Sequence, residues 1–134
     1  MKSKLFLLAT GIVLLSCPLL AKEIVHTKQL NFGQLTNKKT VVGTLKGFDT
    51  KNYKLNAKAN QILRINLESA KVYFNVYEPY KSYEDGAMFM GTIDGTIFTR
   101  KLSKSGTYTI QVSLLDKEAE KDEKIIFTLD VGLE

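Results

Sequence analysis

The sequence predicts an all-β protein, a small antiparallel β-sandwich or flattened barrel of about eight strands, and three observations carry that prediction. Apolar and polar residues alternate with a period of two along most of the chain after residue 30. The alternating runs are short, and Gly, Asn, Asp or Pro separates them at fairly regular intervals. No window sustains the 3.6-residue periodicity of an amphipathic helix.

Leu30 and Phe32 suggest a first strand, and Thr40 to Leu45 a second that ends at Gly47. Tyr53, Leu55 and Ala57 alternate with Lys54, Asn56 and Lys58, the pattern of a strand buried on one face. After a turn near Asn60, Leu63, Ile65 and Leu67 alternate with Arg64, Asn66 and Glu68. In the next strand Val72, Phe74 and Val76 point one way and Tyr73, Asn75 and Tyr77 the other, until Pro79 removes a ladder donor and stops it. A loop with Asp85-Gly86 and Asp94-Gly95 follows, with room for a short strand at Met88 to Gly91. Ile97 to Leu102, Tyr108 to Leu114 and Ile125 to Leu133 complete the set. Between the last two, residues 116–124 are helix formers and charges, read as a solvated helical turn or a long charged hairpin loop.

The first 21 residues stand apart. Lys2 and Lys4 form a positive n-region, Leu5 to Leu15 an apolar h-region, and Ser16 to Ala21 a c-region containing Pro18. This pattern predicts an export signal, and the apolar run is short for a transmembrane helix, which needs about 20 apolar residues. Cleavage after Ala21 is the favoured route. The alternative reads Leu14-Leu15-Ser16-Cys17 as a bacterial lipobox, with Cys17 lipidated and the protein anchored in the envelope. Residues 22–134 then form a single domain without a disulfide, since Cys17 is the only cysteine. Loss of Lys2 and Lys4 reduces 19 basic residues to 17, against 14 acidic ones, for a net charge of +3. The lysines are dispersed and the two arginines, Arg64 and Arg100, lie far apart, so nucleic-acid binding has little support.

Little in the chain suggests catalysis. Ser105 has no credible base, and the isolated Asp-Gly pairs are turn formers. The sole histidine, His26, lacks Cys or carboxylate partners at ligand spacing, which argues against a metal site, and no cofactor is expected. Glu84 and Asp85 beside Tyr80 and Tyr83 could hold a sugar or calcium, but an ordinary exposed loop explains them equally. Tyr73 and Tyr77, with Asn75 between them, could form a carbohydrate platform, although a second packed layer is the simpler use of that face.

The segment with most to say about binding is Ser105-Gly106-Thr107-Tyr108, where a turn feeds a tyrosine into an alternating strand. Gly43-x-Leu45-x-Gly47-Phe48-Asp49, Tyr53, the Gln61 to Leu67 strand, Pro79, Ser105-Gly106-x-Tyr108, Val112, Ala119 and the final strand follow in that order. Together they resemble the bacterial periplasmic lysozyme inhibitors of the g-type and i-type families, over roughly residues 30 to 133. The resemblance implies a small antiparallel β-sandwich or barrel, a periplasmic location and a lysozyme as protein partner. It also implies that the Ser-Gly-x-Tyr loop, with Ser105, Gly106 and Tyr108, enters and blocks the substrate cleft. The g-type inhibitors have a tyrosine where this chain has Phe48, and two arginines where it has Asp116 and Glu120. Reversed charge at both positions opposes contact with an acidic cleft, and leaves an i-type lysozyme or another glycan-processing enzyme as target.

A lysozyme cleft holds two carboxyl groups and hydrogen-bonds a polar sugar chain, so a hydroxyl and a phenol on a rigid turn could satisfy it while excluding substrate. The competing reading of the same residues is structural. Tyr108 shares parity with Ile110, Val112 and Leu114, which would make it a core cap and Ser105-Gly106 only the preceding turn. A non-inhibitory glycan- or protein-binding module of the envelope remains the alternative function.

Overall fold

A computed structural model describes residues 24–33 and 35–134; residues 1–21, read above as an export signal, and Cys17 among them lie outside the described residues. Among the described residues nine strands form two sheets: β1 (Val25–Gln29), β2 (Lys38–Lys46), β3 (Thr50–Ala57), β4 (Ile62–Glu68), β5 (Val72–Tyr77), β6 (Phe89–Met90), β7 (Ile97–Lys101), β8 (Gly106–Leu114) and β9 (Lys124–Leu133). Among the described residues two α-helical turns, α1 (Gly91–Asp94) and α2 (Asp116–Ala119), and one 3-10 turn, Tyr83–Asp85, interrupt them. One sheet has the order β1-β3-β8-β5-β6 and the other β2-β9-β4-β7, so the architecture is a sandwich rather than a barrel.

Period-two alternation becomes burial almost residue for residue. In β8 Tyr108, Ile110, Val112 and Leu114 are buried, and in β9 Phe127, Leu129, Val131 and Leu133 face them from the second sheet. Leu55, Leu63, Ile65, Phe74 and Val76 complete the centre of one continuous core. Along the β6/β7 side the core is closed by aromatic rings. Phe74 stacks on Phe89 at 4.9 Å between centroids, and Phe89 meets Phe98 edge-on at 5.3 Å, joining the sheets. Near the other side Tyr53 meets Phe127 at 6.5 Å. Gly43 makes room for that contact, because a Cβ there would lie 2.5 Å from the Phe127 ring and 3.0 Å from the Tyr53 oxygen.

The expected first strand is corrected. Leu30 and Phe32 lie beyond β1, which spans Val25–Gln29 and pairs with β3 in parallel, the sole parallel pairing among the described strands. All five β1 residues are exposed, so burial leaves no alternating signature there; the backbone ladder alone defines the strand. Its last bond, from the Leu30 amide to the Lys54 carbonyl at 2.8 Å, drops the Leu30 side chain into the core. The face carrying Tyr73, Asn75 and Tyr77 acquires the second layer expected of it. Tyr77 and Asn75 are buried, and Asn75 Oδ1 accepts a hydrogen bond from the Gly91 amide at 3.2 Å. The helical turn α1, absent from the sequence reading, brings Gly91 so close to Phe74 that a Cβ would lie 2.5 Å from its carbonyl oxygen.

Candidate functional site

The Ser-Gly-x-Tyr segment is fastened at each of its named residues. Gly106 opens β8 with φ 146°, outside the range of L side chains, and a Cβ on it would overlap Pro79 at 2.8 Å. The Ser105 hydroxyl oxygen accepts a hydrogen bond from the Ala59 amide at 2.8 Å, tying the loop to the β3–β4 turn. Tyr108 has no exposed surface, and its hydroxyl donates to the Lys104 carbonyl oxygen at 2.7 Å. Burial pushes its phenol pKa up, and the nearby Glu78 carboxylate adds to that shift. The ring thus belongs to the core and the hydroxyl closes the loop, the structural one of the two roles weighed for this residue.

What this end of the sandwich offers to solvent comes from its neighbours. β5 ends at Tyr77, and the next residues turn sharply, with the Lys81 amide bonded to the Glu78 carbonyl at 3.1 Å. Tyr80 within that turn has φ 64°, unusual for a bulky residue, and its side chain is fully exposed. Lys104 pairs with Glu78 at 3.6 Å and joins this turn to the Ser105 loop. Tyr83 is also exposed, in a single 3-10 turn, Tyr83–Asp85. The carboxylate of Asp85 accepts from the Ser82 amide at 2.9 Å and the Ser82 hydroxyl at 3.1 Å, which hold its pKa below the usual range. That capping role accounts for Asp85 without a ligand.

Phe48, Asp116 and Glu120 gather at the opposite end. Phe48 occupies the β2–β3 turn beside Gly47 and is half exposed. α2 starts at Asp116, is pinned by buried Ala119 and is followed by exposed Glu120. Asp122 approaches this turn, forming an ion pair with Lys46 at 3.9 Å. Glu118 binds Lys71 at 3.9 Å and Lys121 at 3.2 Å, whereas Asp116 and Glu120 form no ion pair among the described residues. The nine residues of β8 separate the two ends, about 26 Å at the rise of an extended strand. The six residues singled out from sequence therefore form two clusters and not one. Among the described residues no group of three His, Cys, Asp or Glu side chains is placed to hold a metal.

Comparison of the sequence with protein-family models and with curated proteins finds no match. Solved structures do match. PliG of Aeromonas hydrophila, a periplasmic lysozyme inhibitor of g-type lysozyme, superposes with a TM-score of 0.77 at 27% identity, over 84% of this chain and 100% of that one. PliG of Salmonella Typhimurium gives 0.65 at 20% identity, over 81% and 98% of the two chains. A mutant of the Escherichia coli PliG gives 0.63 at 18%, over 85% and 100%. The last two likenesses speak for the fold alone, and the first adds sequence identity across the full length of its match. With its sheets arranged as in these structures, the chain is similar to the PliG periplasmic inhibitors of g-type lysozyme over most of its length.

Proposed function

We propose that this protein is a periplasmic, inhibitor-like binding protein whose partner is a lysozyme or a related glycan-processing enzyme. The observation that carries the reading is the full-length likeness to Aeromonas PliG, itself an inhibitor of g-type lysozyme. Export by residues 1–21 would bring the domain to the compartment where such an enzyme attacks the cell wall; lipidation at Cys17 would tether it there instead.

In this reading the Ser105–Gly106 end is the blocking element, and its parts have different tasks. Tyr108 holds the loop rather than touching the partner. Ser105 keeps its hydroxyl proton free to donate while its oxygen accepts from Ala59. Tyr80 supplies an exposed aromatic surface of the kind that anchors protein interfaces, on the turn that Lys104 joins through its ion pair with Glu78. A cleft that holds two carboxyl groups and binds sugar rings is complementary to a ring, a hydroxyl donor and a cation. The second reading assigns the contact to the Phe48 end, because family inhibitors carry a tyrosine and two arginines at the positions of Phe48, Asp116 and Glu120. A non-inhibitory glycan- or protein-binding module is the third.

Purified protein titrated into cell-wall lysis assays with c-, g- and i-type lysozymes tests the function. Inhibition of one type, weakened more than tenfold by Tyr80→Ala with Ser105→Ala and unchanged by Phe48→Ala, supports the first reading. The reverse pattern moves the site to the Phe48 end. No inhibition of any type leaves the non-inhibitory module.

A further inference from the structure

The side of the sandwich opposite the aromatic seal is open. There β1 ends one sheet and β2 ends the other, and between these edges lies a groove of about 520 Å³, the size of a small-molecule site. Its lining is basic: Lys28 from β1, Lys46 from β2, Lys51 from β3 and Lys124 from β9, with Asp49 as the one carboxylate. Lys46 is engaged by Asp122, but Lys28, Lys51 and Lys124 form no ion pair among the described residues. Lys28 and Lys51 occupy inward-facing positions, since they share the parity of Tyr53 and Leu55 through the β1–β3 register. An inward position in a sandwich ordinarily carries an apolar side chain.

Inward lysines on an edge also protect a sheet from pairing with another chain, so they alone do not make a site. A second observation goes beyond protection. Tyr53 is 98% buried, with 2% of its surface exposed, and it lines the groove. Its hydroxyl has no hydrogen-bond partner among the described residues, whereas the comparably buried Tyr108 finds one. The one buried side-chain polar atom without a partner among the described residues is Asn52 Oδ1, so the Tyr53 hydroxyl keeps contact with the solvent of the groove and is free to donate to a group bound there.

We propose that the β1–β2 groove binds a phosphate group carried by a small polyol or sugar, with the Tyr53 hydroxyl donating from the floor and Lys28, Lys51 and Lys124 supplying the charge. Lysine acts on phosphate as a point charge, and three cations not engaged by carboxylates suit a dianion. Burial raises the phenol pKa, so the donor keeps its proton throughout the neutral range. The groove exceeds what inorganic phosphate fills, which is why the ligand is an ester. This site is separate from the Ser105 loop and does not depend on the inhibitor reading.

The test is a ¹H–¹⁵N NMR titration of the purified protein with inorganic phosphate, glucose 6-phosphate and glycerol phosphate, with glucose as the neutral control. Saturable shifts confined to β1, β2 and Tyr53, tighter for an ester than for inorganic phosphate, are expected. Tyr53→Phe keeps the ring against Phe127 and should weaken binding about fivefold or more, as loss of a hydrogen bond to a charged group does. Lys51→Gln with Lys124→Gln should weaken it further, and added salt should do the same. Vesicles containing phosphatidylglycerol separate the sources: co-sedimentation abolished by Tyr53→Phe makes the ester a lipid headgroup, and no co-sedimentation makes it a soluble one. Shifts that fail to saturate, or that Tyr53→Phe leaves unchanged, overturn the proposal. Self-association of the Lys51→Gln, Lys124→Gln variant, with no saturable phosphate binding by the parent protein, would also overturn it and leave edge protection as the role of the lysines.

Discussion

Replacing Tyr108 by Phe separates holding the loop from touching a partner. The substitution keeps a ring that has no exposed surface and removes only the hydroxyl, which donates to the Lys104 carbonyl at 2.7 Å. A net hydrogen bond is worth roughly 0.5–1.5 kcal/mol, and Lys104 lies on an exposed loop where water can replace the lost donor, so about 1 kcal/mol is expected. For a domain of this size that corresponds to a fall in Tm of roughly 3–6 °C. Tyr108→Ala would instead empty the ring's place in the core and cost about 3–5 kcal/mol, enough to confuse any binding measurement. Thermal and urea unfolding give the stability change, and the lysis assay gives inhibition on the same preparation. Inhibition should change less than about threefold, well under the 1.4 kcal/mol that a tenfold loss represents. An unchanged Tm with inhibition lost would refute this reasoning and return the Tyr108 hydroxyl to the interface.

Three more outcomes follow from the geometry. Gly43→Ala should lower stability by about 1–3 kcal/mol in urea unfolding, because its Cβ would meet the Phe127 ring and the Tyr53 oxygen at overlapping distances. Tyr53 and Tyr108 both have phenol pKa values raised above 10.0 by burial, so the folded protein retains two protons that the unfolded chain releases. Their contribution is therefore complete below about pH 10 and is lost as pH rises above it; Tyr53→Phe with Tyr108→Phe should lessen the alkaline fall in denaturation midpoint relative to the parent. Asp116→Arg with Glu120→Arg reverses two exposed carboxylates at the same end as Phe48, and should improve inhibition of a g-type lysozyme by more than tenfold if that end makes the contact. Weakened inhibition on adding those arginines would remove the charge explanation.

The sheet content, most strand positions and the core were legible because a strand encodes burial locally: Ile110, Val112 and Leu114 declare their face by alternation alone. The same rule placed Tyr108 with them, and its parity pointed to the buried ring that the fold contains. β1 was hidden for the converse reason, since all of its side chains are exposed and only a parallel ladder to β3 defines it. The grouping of the candidate site residues was decided by tertiary structure. Ser105 and Asp116 are eleven positions apart in sequence, yet β8 between them is extended and carries them to opposite ends of the molecule. Conversely Lys28, Lys51 and Lys124 look dispersed in the chain, and only the meeting of β1, β3 and β9 around one open side makes them neighbours. Alternation reports which face a residue takes from its immediate neighbours; which residues share an end or an edge depends on strand pairing between segments up to about a hundred positions apart, and no local pattern contains that information.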